Sequence, residues 1–348
     1  MKKILFLFTL LAGCLSIASA EQVRSPLQDV LPLLQKNNRT LQENRQVLQL
    51  FRTTKNAEVA FAAGASLVKT LPGKEQRPAL YSLLLRTEEP IKQTFAAVIL
   101  TAMGETASDL SPLLQQSLTG KNPLLRAYAA GAYALLVPQE KSYAQEIVRL
   151  YIFDVSLAQR AMNQLLGPKQ SPCYYLRKAA VSPDEQIRSA AAAWLGKLHT
   201  AEAAKLLLKM AKSENSPTVQ ASIATGLAIQ REQTLPAVLK GLRKNYKSSY
   251  ANTCALALGF MTGNAVESLR QPLTGSHTQS RINAARAAAY MANVLANPDA
   301  FAYSSDRAFD IRLLKGLIAP LNVLATTGNE TEKTYAANAL RQIEKLME

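Results

Sequence analysis

From about residue 56 onward, apolar and small positions recur in one arrangement. An aliphatic residue opens it, small residues follow four and five places on, and a large apolar residue sits eight places on. The clearest copy is Ile187-Arg188-Ser189-Ala190-Ala191-Ala192-Ala193-Trp194-Leu195-Gly196. Others are Leu125 with Ala129, Ala130 and Tyr133; Val219 with Ile223, Ala224 and Leu227; and Tyr250 with Cys254, Ala255 and Leu258. Weaker copies open at Val59, Ile91, Leu157 and Ile282, and a last one runs through Ala336, Ala337 and Leu340. Offsets of four, five and eight share one face of a helix. The pattern therefore predicts a helix whose small residues lie where a neighbouring helix comes close. No period-2 run of β-branched residues is sustained, so no sheet is predicted.

The openings fall at 59, 91, 125, 157, 187, 219, 250 and 282, with gaps of 32, 34, 32, 30, 32, 31 and 32. The next, near Glu332, comes 50 residues later and predicts an insertion. A fixed period of this size is the signature of a stacked array. Each period reads as two helices: the pattern is the second, and a shorter Leu-rich stretch is the first, as at 110–118, 203–210, 235–242 and 311–324. Gly104, Gly167, Gly196 and Gly259 fall at or just past the ends of second helices, where C-caps are expected. Pro183 and Pro217 mark joints at which a helix can begin. Residues 21–55, with Leu31, Leu34, Leu41, Val47, Leu48, Leu50 and Phe51 among Gln, Asn and Arg, read as N-terminal capping helices. Residues 56–348 read as the repeat array. Turn material at Asn297-Pro298-Asp299 and Ser304-Ser305-Asp306 predicts a surface loop over 294–310, itself a candidate site.

The unit Ile187-Arg188 … Ala191-Ala192 … Leu195-Gly196 resembles the HEAT repeat, in its short bacterial form of about 30 residues. The resemblance covers about 59–345. It implies an all-α fold: an α-solenoid of about nine stacked helix pairs, a HEAT/armadillo-like superhelix. Such an object is held together by nearest-neighbour stacking and would be a curved rod on the order of 80 Å long, its second helices lining the concave side. The resemblance also implies that an Arg after the opening aliphatic, here Arg126 and Arg188, braces the stack through an acidic residue of a neighbouring turn. Several copies depart from the pattern: Val219 is followed by Gln220, Tyr250 by Ala251 and Ile282 by Asn283. Arg160 and Arg286 sit mid-helix and are free to face the groove.

The first twenty residues are a separate object. Lys2 and Lys3 precede an apolar run over 4–11, and Ala18-Ser19-Ala20 is a small-residue cleavage pattern before Glu21. This reads as a secretory signal peptide, and the Met-Lys-Lys start looks bacterial. Leu11-Ala12-Gly13-Cys14 also fits a lipobox, in which Cys14 would carry lipid and anchor the protein to a membrane. The apolar run continues through Leu15-Ser16-Ile17, which favours cleavage after Ala20. No later segment offers the roughly 18 apolar residues of a membrane span. The expected location is periplasmic or secreted, with a lipoprotein anchored through Cys14 as the alternative.

Composition adds a basic excess, which by itself is accounted for by keeping the protein in solution. The net charge is +15, from 40 Lys and Arg against 25 Asp and Glu. The charge suits anionic glycans, lipid head groups or acidic proteins. The densest basic stretch holds Lys240, Arg243, Lys244 and Lys247 around Tyr246; Lys205, Lys209 and Lys212 form a stripe on the neighbouring first helix. A partner or anion contact is thus expected at Arg160, Lys240, Arg243, Lys244, Lys247 and Arg286. Catalytic chemistry has little material. His199 and His277 are the only histidines, and both fall in joints. No HExxH, GxSxG, P-loop or dinucleotide fingerprint occurs, and neither Cys173 nor Cys254 has metal-site spacing. No catalytic, cofactor or metal residue is assigned. Glu88-Glu89 and Asp184-Glu185 read as favourable charge at helix N-termini.

These readings give three function classes. The first is a non-catalytic exported scaffold binding a protein through the solenoid groove in the bacterial cell envelope. The second is a binder of an anionic non-protein ligand, a glycan or lipid head group, through a basic surface; an export signal argues against nucleic acid. The third is a lyase, because some short bacterial HEAT-like repeat proteins resemble pigment-attaching lyases, although a shared repeat does not transmit function.

Overall fold

The computed structural model describes residues 26–167, 170–261, 263–298 and 306–347. The expected signal peptide and Cys14 lie outside the described residues, as do residues 299–305 of the expected loop. The described residues are helical, with no strand. They divide into two compact units, one ending at Ala179 and one beginning at Ala180.

In the first unit α1 (Pro26–Leu34) precedes four helix pairs: α2 (Leu41–Thr53) with α3 (Ala57–Thr70), α4 (Arg77–Leu84) with α5 (Pro90–Ala102), α6 (Leu110–Leu118) with α7 (Pro123–Leu136), and α8 (Ala144–Leu150) with α9 (Val155–Leu166). A last first-type helix, α10 (Cys173–Ala179), follows. The second helices α3, α5, α7 and α9 pack side by side in chain order. Three of these starts, those of α3, α7 and α9, are fixed by a polar residue three places before the opening aliphatic; α5 begins at Pro90 without a side-chain cap. Asn56, Asn122 and Asp154 accept the backbone N–H groups of Val59, Leu125 and Leu157, satisfying donors the helix leaves free. Burial is nearly complete in α5, where Phe95 to Leu100 are all 0% exposed. A helix flanked by two second helices and a first helix has little face left for water.

The second unit repeats the plan. It pairs α12 (Ala201–Ser213) with α13 (Pro217–Ile229), and α14 (Arg231–Gly241) with α15 (Ser249–Met261), after a second-type helix α11 (Glu185–Lys197). The short helices α16 (Asn264–Glu267) and α17 (Arg270–Thr274) precede the long α18 (Thr278–Ala296). Then come α19 (Arg307–Lys315), α20 (Ile318–Thr327) and α21 (Glu330–Met347). The second helices α11, α13, α15, α18 and α21 pack in that order.

Three sequence expectations need correcting in this unit. The stretch 311–324 is not one helix: α19 ends at Lys315 and α20 begins at Ile318. Pro320 cannot donate to the carbonyl of Gly316 and its ring would clash there, so the helix breaks at that glycine. The 294–310 segment is not wholly loop, because α18 runs to Ala296 and α19 starts at Arg307. The register also slips. His277 caps α18 through Ser280 N–H, so the opening position is Ser280 rather than Ile282. In the last copy the packed residues are Ala336, Ala339 and Ile343, whereas Ala337 and Leu340 are not buried.

Candidate functional site

The expected braces are present. Arg126 reaches Glu146 at 3.3 Å and the carbonyl of Gly120 at 2.9 Å. Arg188 grips Glu214 and donates to the carbonyl of Ser182 at 2.9 Å. A third, not read from sequence, is Arg281, which pairs with Glu332 at 2.6 Å and donates to the carbonyl of Gly275 at 2.7 Å. In all three the carbonyl lies six residues before the arginine. The same geometry places Arg281 directly after an opening residue, as Arg126 and Arg188 are, and so independently sets the opening at Ser280. Tying second helices to flanking turns in this way leaves their remaining strip free for other work.

In the second unit that strip forms a groove of about 520 Å³ across α15, α18 and α21. Part of its lining is the α14–α15 connection, pinned by three side chains of α18. Asn283 Nδ2 donates to the carbonyls of Leu242 and Lys244 at 2.8 and 3.0 Å. Gln279 Oε1 accepts the Tyr246 N–H at 2.8 Å, and Arg286 Nη1 donates to the Tyr246 carbonyl at 3.0 Å. Arg286 Nη2 donates to the Tyr335 hydroxyl at 3.0 Å, and its guanidinium carbon stands 4.9 Å from the centre of the Tyr335 ring. The Tyr246 and Tyr335 rings meet edge-on at 5.9 Å, and the Lys247 ammonium lies 5.7 Å from the Tyr246 ring.

Two of the lining residues, Tyr290 and Asn252, begin a chain of amide and hydroxyl groups that runs away from the groove lining. The Tyr290 hydroxyl donates to Asn252 Oδ1 at 3.0 Å, Asn252 Nδ2 donates to Gln220 Oε1 at 3.2 Å, and Gln220 Nε2 donates to the Glu214 carbonyl at 3.0 Å. Burial raises the Tyr290 pKa above the ordinary phenol value against the lowering effect of Arg286, so the hydroxyl stays a neutral donor. A second recess adjoins, lined by Thr334, Tyr335, Ala337, Asn338 and Arg341, with Arg341 Nη2 donating to Asn338 Oδ1 at 2.9 Å. No Asp or Glu lines either recess. Lys247, Arg286 and Arg341 make no ion pair with a described residue, unlike the bracing arginines.

The sequence-assigned contacts thus separate. Lys247 and Arg286 come together in the groove. Lys240, Arg243 and Lys244 are exposed but line neither recess, and Lys205, Lys209 and Lys212 are exposed on α12, a first helix. Arg160 belongs to the other unit. It is exposed on α9 and donates to the carbonyl of Ala102 at 3.3 Å. Near it on the chain, Asp154 caps α9 with Oδ1 while its Oδ2 is buried without a hydrogen-bond partner among the described residues. Burial raises the Asp154 pKa, opposed by backbone N–H groups and the charges of Lys69 and Arg160. Asn252, Tyr290, Tyr335, Asn338 and Arg341 were missed, because each is an ordinary polar residue until the helices stack.

Other chemistry is sparse. Cys173 and Cys254 are buried and form no disulfide among the described residues, and burial pushes the Cys254 thiol up to about 12, far from a nucleophilic thiolate. Among the described residues no three His, Cys, Asp or Glu converge as a metal site would require, and no helix is long and apolar enough to cross a membrane.

The family model for HEAT repeats matches residues 156–228, from α9 through nearly all of α13. No curated protein matches the chain. The same helix pair recurs outside the matched residues, as in α6 with α7 and α14 with α15.

Proposed function

We propose that this helical repeat scaffold is exported to the bacterial cell envelope and holds a partner protein along the second-helix face of its C-terminal unit. The groove between α15, α18 and α21 carries the reading. Its lining side chains are held by hydrogen bonds to one another and to backbone, so a partner meets a surface already ordered and loses less entropy in binding. Tyrosine and arginine, which anchor protein interfaces, supply much of its surface. Stacked repeats generate extended surfaces of this kind. The export half of the reading rests on Lys2, Lys3, the apolar run over 4–11 and Ala18-Ser19-Ala20.

Photo-crosslinking in intact cells tests it. A photoreactive residue at Ser249, which lines the groove, should yield a discrete protein adduct, while one at Lys205 on α12 should not. No adduct from Ser249, or equal adducts from both positions, overturns the proposal. The unpaired cations favour a second reading, an anionic glycan or lipid head group. That ligand would show as binding that falls steeply with salt and needs no protein partner.

A further inference from the structure

We infer that the groove's occupant is an extended peptide segment bearing carboxylates, one of them seated between the Arg286 guanidinium and the Lys247 ammonium. This rests on the protein-binding reading above and adds the chemistry of the segment bound.

Charge is the first argument. Arg126, Arg188 and Arg281 each have a carboxylate within 3.3 Å. Arg286 instead meets a carbonyl and a phenol. Those neutral acceptors and the ring beneath fix the guanidinium plane without cancelling its charge. A guanidinium carries five N–H donors, so donors remain for a carboxylate, the acceptor whose two oxygens match that fork. Lys247 lines the same groove, Arg341 the adjoining recess, and no acidic side chain lines either.

Shape is the second. Packed helices lie roughly 8–10 Å apart, and an extended chain advances about 3.3 Å per residue, so about three residues cross from one helix to the next. A segment of roughly seven residues would pass from Asn252 on α15, over Arg286 on α18, to Arg341 on α21. Beyond the tyrosine rings the apolar lining is Ala289 and Ala337, which offers little to acyl chains.

The test uses the chain from Glu21 to Glu348 and four probes: a fluorescein-labelled decapeptide of alternating Gly and Glu, its Gly-Gln counterpart, dextran sulfate, and phosphatidylglycerol vesicles. Anisotropy should show binding of the Glu peptide and not of the Gln peptide. Lys247→Gln and Arg341→Gln are substitutions of exposed residues, and the first should weaken binding by about tenfold. Arg286→Lys keeps the charge but loses the planar fork, and should also weaken it. Lys205→Gln on α12 should change nothing, which separates the groove from general attraction to a basic protein. Equal binding of both peptides, Glu-peptide binding indifferent to Lys247→Gln and Arg286→Lys, or groove-dependent binding of dextran sulfate or vesicles without the peptide overturns the inference. If the Ser249 adduct forms in cells and survives Lys247→Gln and Arg286→Lys, the carboxylate inference falls while protein binding stands. If no adduct forms, the protein-binding reading falls with it.

Discussion

Arg188 holds both carboxylate oxygens of Glu214, with Nε 2.7 Å from Oε2 and Nη2 3.1 Å from Oε1. Glu214 in turn accepts the backbone N–H groups of Asn215 and Ser216. One carboxylate thus closes the turn before α13 and ties it to α11.

Removing the arginine should leave a largely buried carboxylate with fewer partners. Arg188→Ala should cost about 2 kcal/mol at pH 7, read from urea unfolding of the isolated variant. The pH dependence is specific. Burial alone would raise the Glu214 pKa, but the Arg188 and backbone hydrogen bonds outweigh it and the net shift is downward. A carboxylate depressed in the folded state contributes stability above its unfolded pKa and loses it as pH falls through the folded value. The gap between parent and variant should therefore shrink on acidification below the ordinary glutamate range. A gap that stays constant to pH 2 would disconnect the carboxylate from the effect.

A second relationship lies between glycines. A Cβ placed on Gly196 would stand 2.6 Å from the Gly226 Cα, backbone against backbone where α11 meets α13. Gly→Ala inside a helix ordinarily stabilises by roughly 0.5–1 kcal/mol. Here the clash should reverse the sign, and Gly196→Ala should destabilise by about 1–3 kcal/mol. Ala192→Leu, at a fully buried position on the same helix, should act in the same direction. An unchanged melting temperature for either would mean that these helices are not in contact there.

Asp154 predicts the opposite pH trend. Its folded pKa is raised, chiefly by burial, so ionisation weighs against the folded state as pH rises through the unfolded value. Asp154→Asn keeps a capping oxygen for Leu157 N–H and removes the charge. It should be more stable than the parent by about 1 kcal/mol at pH 7, with the difference vanishing near pH 3. Thermal melts at both values check this; a destabilised Asn variant at pH 7 would show that the buried charge is compensated.

Processing decides the location. Cleavage after Ala20 should give a mature protein beginning at Glu21, with Cys14→Ser changing neither size nor partition. N-terminal sequencing and detergent phase separation measure both. Palmitate labelling of the parent that disappears in Cys14→Ser would instead make the protein a lipoprotein.

The sequence by itself determined the helices, their pairing and the approximate period, because small and apolar residues at offsets of four, five and eight can pack only as one face of a helix. The resemblance to the HEAT repeat, rather than the periodicity, supplied the bracing role of Arg126 and Arg188. Only the tertiary structure decided which residues share the groove. A second helix is covered on several sides, leaving a narrow strip, and each residue turns the helix by about 100°. Moving the opening from Ile282 to Ser280 therefore turns the assignment by roughly 200°. It shifts Arg286 from the fourth place, where small residues pack, to the sixth, which Ala193 and Thr225 show to be incompletely buried in their own units. Asn252, Arg286, Tyr335 and Arg341 come from three helices, and no local periodicity links them. Their meeting, and the separation of Lys247 from Lys240, Arg243 and Lys244, follow from how those helices stack.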